Sequence, residues 1–369
     1  MYYPDGDQDR RVRHARPSRR RRGLVISLLL AVLLVVGTGG VLVANGTVSS
    51  WLHPVADYSS AGVGSIEFTI SEGDIGEDVA RNLEKAGVTK SFDAFYRLLL
   101  KTEPAPVFIP GVYSLKKEMS AQAALEALQN ADNRLVNQAV IPEGTILPKA
   151  LAILAEKTKL PLADFTAAAS KPQSFGLPSQ AKTLEGFLFP ATYNFSPNQT
   201  ATEILQQMVD RCFADLDHAG VAKADRWHVV TFASLVQKES GSVKDMYKVS
   251  RVFTNRLNES LWPSGLLESD ATVAYGTGHT NMMNTTQAER SDAGNPYNTY
   301  VHPGMLFAPI SNPGADAIDA ALHPVSGKWL FFVAVNFDTG ETVFSETLAQ
   351  HEKAVAQSQA WWQAHPEYQ

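Results

Sequence analysis

From Ser65 onward the hydrophobic positions switch repeatedly between a period of two and a period near that of a helix. "SIEFTI" (Ser65 to Ile70) alternates apolar and polar residues like a half-buried strand, and "GDIGEDVARNLEKAGV" places Ile75, Val79, Leu83 and Ala86 on one helical side. "SFDAFYRLLLK" predicts a second helix, "PGVYSLKK" a turn and strand, and "SAQAALEALQN" a third helix capped by Ser120. A strand, two helices and a strand make a small α+β module of roughly 60 residues.

Past Leu135 the pattern changes. "NQAVIPEGTIL" reads as a strand and turn, followed by helices near residues 147–157, 161–169 and 200–216. Between them "LEGFLFPATYNFSP", with two prolines, predicts a loop or short strand. "FASLVQKESGSVKDMYKVSRVFTNRL" (Phe232 to Leu257) then predicts two amphipathic helices around a Gly-Ser bend, and Pro263 to Pro313 reads as a long loop rich in Gly, Asn and Pro. The pattern ends with a helix over Ala315 to Leu322, strands "KWLFFVAVN" and "ETVFSE", and a helix from Leu348. The predicted fold class is therefore α+β, a small module followed by a larger mixed domain.

Upstream of Ser65 the reading is different. "RRVRHARPSRRRR" (Arg10 to Arg22) runs into the apolar "GLVISLLLAVLLVVGTGGVLVA" (Gly23 to Ala44), and the next charged residue is Asp57. About 20 apolar residues span a bilayer, and positive charge on the N-terminal side keeps that side in the cytoplasm. The run is longer than a signal-peptide core and lacks a clear cleavage site, so a retained single transmembrane helix is expected. Residues 1–22 would be a cytoplasmic tail, 23–44 the membrane span and 45–64 a linker. The tail's eight Arg against three Asp leave the remainder at −11 of a formal −6 overall, a poor surface for nucleic acid. At 369 residues and 44% hydrophobic, the chain has material for roughly two packed domains. A lone Cys212 excludes an internal disulfide.

One carboxylate breaks the helical pattern. With Glu239 at zero on a helical wheel, Leu235, Val236 and Phe232 fall within about 60° of it, while Gln237 and Lys238 point away. Among apolar groups a carboxyl stays protonated to higher pH, as a general acid working near neutrality requires. The alternative is a solvated residue in a fraying last turn. On the next helix Asn255 and Arg256 either bind a ligand or cap and pair. Asp270 is either an N-cap before Ala-Thr or a second acid, and it precedes Tyr275 by little more than one turn. "NPYNTYVHPG" gathers Tyr297, Asn298 and Tyr300 in a loop whose composition suits hydrogen bonding and stacking against a sugar, or an ordinary turn. His279, His302 and His323 lack metal-ligand spacing, and no nucleophile elbow or phosphate loop occurs, so no metal or cofactor is expected.

"ASLVQKES", "VSRVFTNRL", "LLESDATVAYGTG", "NPYNTY", "ISNPGADAIDAALHP" and "LFFVAV", in this order, resemble the YceG-like family, the endolytic murein transglycosylases. The resemblance covers about residues 65–357 and takes in "IPEG" and "LEGFLFPATY". It implies a LysM-like subdomain over 65–134, a catalytic domain over 135–357 and a C-terminal tail over 358–369. It also implies that Glu239 is the catalytic acid, with Ser240 as a hydroxyl that helps orient it. Asn255, Arg256, Asp270, Tyr275, Tyr297, Asn298 and Tyr300 are the candidates for substrate binding or positioning. Two departures stand out: "GMLFAPI" (Gly304 to Ile310) replaces G-L-P-P-G-P-I, and Thr342 stands where the family often has His.

The expected function is then cleavage of nascent peptidoglycan strands between N-acetylmuramic acid and N-acetylglucosamine, leaving 1,6-anhydro ends. Its expected place is the plasma membrane with the catalytic domain outside, beside glycan polymerases and penicillin-binding proteins. The rivals are a muramidase-type hydrolase with Asp270 as second carboxylate, and a non-catalytic wall-binding scaffold. The anchor has its own test: protease added to intact spheroplasts should digest the domain after Ala44 and spare the basic tail. A mature N-terminus mapped near Asn45 would reject a retained span.

Overall fold

The computed structural model describes residues 55–279 and 285–366. The basic tail and the expected span over Gly23 to Ala44 lie outside the described residues, and among those described no helix is long and apolar enough to cross a membrane. The chain divides into two compact units, one holding most of the residues up to Gln129 and the other mainly Asn130–Gln369.

The first unit contains strand β1 (Ala61–Ile70), helices α1 (Gly76–Lys85) and α2 (Phe92–Leu99), strand β2 (Gly111–Met119) and helix α3 (Ala121–Gln129). Val79, Leu83, Phe95, Leu115 and Leu125 form its core, whereas Ile75, the first member of the expected stripe, is the N-cap of α1 and exposed. Ser91 starts α2 by accepting the Ala94 amide N–H at 3.2 Å.

The second unit begins with the short strands β3 (Arg134–Leu135) and β4 (Asn137–Val140). Helices α4 (Leu147–Thr158) and α5 (Leu162–Ala169) follow, then β5 (Thr192–Phe195), which lies within "LEGFLFPATYNFSP" and pairs antiparallel with β4 from Asn137 opposite Phe195. Next come α6 (Ala201–His218), opened by a Thr200–Glu203 capping box, and then α7 (Arg226–Glu239) and α8 (Val243–Arg256). The expected long loop after Pro263 holds two helices, α9 (Asp270–Thr277) and the one-turn α10 (Gln287–Arg290). Helix α9 mixes Ala, Thr, Val and Gly without an apolar stripe and α10 is a single turn, so neither shows a helical period. Helix α11 (Ala315–Leu322), the hairpin β6 (Phe331–Asn336) and β7 (Glu341–Ser345), and α12 (Leu348–Ala364) complete the order.

Helix α7 is the centre of the core. Val229 to Val236 are buried without interruption, so the helix is enclosed on every side rather than along one stripe. Its small residues let neighbouring backbone approach closely. Ser234 Oγ donates to the Thr231 carbonyl at 2.7 Å and accepts the Ile310 amide at 3.1 Å, while Ser311 Oγ donates to the Ser234 carbonyl at 3.2 Å. Gly186 does the same from another side. It has φ +87, and a Cβ there would stand 2.7 Å from both Pro309 Cβ and Val230 Cγ1.

Gly186→Ala should therefore combine a left-handed backbone penalty with overpacking and destabilise the second unit by about 2 to 4 kcal/mol. The denaturant midpoint, read with an unchanged slope, measures it. A shift no larger than that of an exposed Gly220→Ala control would contradict the packing.

Candidate active site

Glu239 is the last residue of α7, and the chain turns away at Ser240 with extended backbone angles. Its carboxyl meets the first turn of α9. Ser269 is the N-cap of α9; its Oγ accepts the Thr272 amide at 3.3 Å and donates to Glu239 Oε1. The Ala271 amide donates to the same carboxyl. These are donors that a helix start leaves unpaired, and they favour a negative charge. Burial acts in the opposite direction and dominates, so the carboxyl titrates above its ordinary value; Ser269 pulls it down, Asp270 nearby raises it further, and Ala271 and Arg256 lower it.

The Ser269 segment is fixed from the "NPYNTY" loop. Thr299 Oγ1 accepts the Ser269 amide at 3.0 Å and lies 2.8 Å from Thr272 Oγ1. Since the Thr272 hydroxyl proton goes to the Ser269 carbonyl at 2.7 Å, Thr299 must donate in that pair. The hydroxyl facing Glu239 is thus held by a chain of assigned hydrogen bonds.

Glu239 opens on a cavity of about 730 Å³. Arg256, Glu268 and Asp270 share its inner wall with Glu239, and Thr285, Arg290 and Tyr300 form one side. The apolar side is made by Phe331 to Val333 of β6 and by His351 and Val355 of α12. His351 stacks on Phe331 at 5.1 Å, and burial followed by the Arg256 charge holds its imidazole below its ordinary value. Glu268 has a left-handed backbone, with φ 51°, and it pairs with Arg256 at 3.2 Å.

The sequence candidates separate into three groups. Glu239, Arg256, Asp270 and Tyr300 do come together in the cavity. Asp270 is not the N-cap but the first residue of α9; its carboxylate accepts from Thr285 Oγ1 and, at 3.1 Å, from the Tyr300 hydroxyl, with Arg290 at 3.9 Å. Arg256 spends its guanidinium on the Leu330 and Leu267 carbonyls at 2.7 and 2.6 Å as well as on Glu268. Asn255 and Asn298 are structural: Asn255 donates to the Gly327 and Trp329 carbonyls, and Asn298, fully buried, ties the Glu289, Arg290 and Asp292 carbonyls to the loop. Neither has an amide free for a sugar. Ser240, expected beside the carboxyl, has a buried Oγ with no hydrogen-bond partner, and the hydroxyl bonded to Glu239 is that of Ser269.

Tyr275 and Tyr297 belong to a different cluster. Tyr275 donates to Glu185 Oε2 at 2.9 Å, its ring meets Tyr297 at 4.9 Å, and Tyr297 meets the exposed Phe307 at 5.6 Å. Glu185 is 2% exposed, accepts the Leu147 amide at 2.9 Å and the Asn312 Nδ2 at 3.3 Å, and is pushed up to about 7 by burial. Lys238 does not reach into water as the helical wheel implies: it is half-buried near both glutamates, and burial lowers it. The sequence reading passed over Glu185, Ser269, Glu268 and His351. A Ser three residues before a Thr at a helix start marks Ser269 as a cap, and a lone Glu inside "LEGFLFP" marks a buried acid.

The model of the YceG-like family matches residues 68–357. The chain is 30% identical to the endolytic murein transglycosylase of Bacillus subtilis, over 83% of this chain and 87% of that protein. It is 27% identical to the endolytic murein transglycosylase of Streptococcus pneumoniae over 78% of its length, and spans 57% of that relative. A crystal structure of a YceG-like protein from Listeria monocytogenes matches with a TM-score of 0.51 at 27% identity, covering 79% of this chain and 99% of that one.

Glu185 makes stability depend on pH. Its proton leaves the unfolded chain near the ordinary 4.5 but stays on the folded one to about 7, so stability falls as pH rises through that window and then levels. The drop is on the order of 3 kcal/mol. Glu185→Gln should remove that part of the slope, read as the change in urea midpoint between the two ends of the window. An identical slope in the variant would mean that another group is responsible.

Proposed function

This chain belongs to the YceG-like family, and from that premise we propose that it is a membrane-anchored endolytic transglycosylase of peptidoglycan with Glu239 as its acid. The observation that carries the proposal is the pairing of Glu239 with Ser269 and the Ala271 amide under burial. Burial favours the protonated form that a general acid needs. The two donors stabilise the carboxylate once the proton has gone, so one group can serve as acid and then as base.

In the first step Glu239 gives its proton to the oxygen between N-acetylmuramic acid and N-acetylglucosamine as the bond from that oxygen to C1 breaks. In the second, the muramic C6 oxygen closes on C1 and its proton passes to the Glu239 carboxylate. The product end is 1,6-anhydro-N-acetylmuramic acid, and no water enters. The cavity beside Glu239 offers apolar and charged walls for the sugars on either side of the bond. The span over Gly23 to Ala44 would hold the enzyme at the outer face of the plasma membrane, where strands emerge from polymerases and penicillin-binding proteins. Residues 65–134 would act as a LysM-like subdomain.

A hydrolase reading has one specific observation behind it: Asp270 and Glu268 line the same cavity. Both are already engaged, Asp270 by Thr285 and Tyr300 and Glu268 by Arg256, which favours positioning over activation of water.

Digestion of purified glycan strands by the full chain in detergent, in water enriched in oxygen-18, separates the readings. Unlabelled anhydro ends are expected, about 20 Da lighter than hydrolytic ends formed in the labelled water and about 18 Da lighter than those formed in ordinary water. Glu239→Gln should lower the rate by about 10² to 10⁴. Heavy oxygen on C1 of most new ends would make the protein a hydrolase. Cleavage untouched in Glu239→Gln would leave only the wall-binding scaffold.

A further inference from the structure

We infer that Glu185 and Tyr275 are positioning residues for the acid: together they hold α9 so that its first turn keeps its donors on Glu239. The inference rests on Glu239 as the acid in the reading above, and it concerns a second carboxylate that the reaction itself does not use.

Glu185 lies outside the cavity wall and is 2% exposed, so it does not touch substrate. A buried carboxylate is costly, and an apolar residue would fill the same space at lower cost unless the carboxylate itself is needed. Three chain segments converge on it. The Leu147 amide, at the first residue of α4, donates at 3.1 and 2.9 Å to its two oxygens. Asn312 Nδ2 donates at 3.3 Å to Oε1 and also, at 2.8 Å, to the Thr145 carbonyl, while its Oδ1 accepts the Leu188 amide at 2.9 Å. The Tyr275 hydroxyl, from α9, donates at 2.9 Å to Oε2. The acid is thereby fastened to α4 and to the segment after Pro309, and its Oε2, shared with the Leu147 amide, also holds α9.

That hold acts at a distance from the chemistry. Helix α9 has only eight residues and ends at the left-handed Gly278. Its start is tied through Thr299, and its second half through Tyr275 and through Asn295 Nδ2, which donates to the Val273 carbonyl at 3.2 Å. Tyr275 stands six residues after Ser269, about 9 Å along the helix. A short helix fixed at both ends presents its first-turn donors in one place. Released at Tyr275, it can tilt about the Thr299 contact and draw Ser269 Oγ and the Ala271 amide from Glu239.

The charged and titratable groups that face Glu185 are Tyr275 from α9, Tyr297 from the loop packed on it, and Lys238 from α7. Lys238 also faces Glu239, so a test that removes the Glu185 charge alters two things. Tyr275→Phe removes no ionised side chain, although the loss of its donor raises Glu185. It keeps the ring, its contact with Tyr297 and the Glu185 carboxylate, and deletes only the hydroxyl.

The sign of the effect is set by the donors. Ser269 and Ala271 lower the titration of Glu239, so loosening them raises it. In the full chain in detergent, Tyr275→Phe should move the alkaline limb of kcat/KM upward by about half a pH unit or more. Glu239 labelled with carbon-13 at the carboxyl, assigned by its loss in Glu239→Gln, should titrate upward by the same amount without substrate. Misplacing the donors should also lower kcat by on the order of tenfold, with KM little changed. Glu185→Gln serves as the second variant, expected to move the Glu239 titration in the same direction. A residue that merely supports the fold would lower the melting temperature and leave the Glu239 titration in place. Unchanged Glu239 titration in both folded variants overturns the inference, whatever the rate. A pH profile that survives in Glu239→Gln instead overturns the reading of the site, and the carboxyl titration still decides whether α9 is held as described.

Discussion

A carboxyl group withdrawn from water at the end of one helix and met by the opening donors of another is the constraint on which the rest of the second unit depends. Burial favours the protonated form of Glu239 and prevails, while Ser269 Oγ and the Ala271 amide oppose it by favouring the ionised form. Much of the surrounding polar structure serves this meeting: Thr299 and Thr272 fix the serine, Asn298 gathers the loop that carries Thr299, and Glu185 ties the far half of α9 to α4.

The packing explains why such a meeting is possible. Helix α7 must be buried on all sides to carry a carboxyl into the cavity, which demands small residues where backbone crosses it. Ala233 and Ser234 on the helix, and Gly186 against Val230, meet that demand, and Ser234 bonds directly to the Ile310 amide. The segment Gly304 to Ile310, which departs from the family pattern, therefore has a structural end and an open end. Ile310 is locked onto α7, while Phe307 stays exposed against Tyr297. A departure at the open end changes a surface and leaves the helix contacts alone.

Arg256 shows how one residue can line a cavity and still be part of the scaffold. Its guanidinium is shared among two carbonyls and Glu268, and it lies between the rings of Trp262 and Phe331 at 5.0 and 5.4 Å. That arrangement leaves a positive charge near Glu239 without a direct ion pair, which would have ionised the acid outright. Asp270 is treated likewise: Thr285, Tyr300 and Arg290 hold its charge in place on the cavity wall.

The sequence by itself determined the strand and helix order where elements are long enough to show a period, the Ser-bounded bend after Glu239, and the one carboxylate that interrupts an apolar run. It also carried the family, because six ordered motifs are specific in combination. It read the segment of α9 and α10 as loop, with an N-cap at Asp270 as the one sign of a helix, since the sequence DATVAYGT has no apolar stripe and α10 is a single turn. It pointed to Ser240, adjacent to Glu239 in the chain, whereas Ser269, thirty residues on, is the hydroxyl bonded to it in space. The same reason separates Asn298 from the sugar-binding role its composition suggests and hides Glu185 inside an apolar phrase. Local periodicity reports which face of an element is buried; which donor from another segment reaches a buried acid is decided only when the tertiary fold brings the segments together.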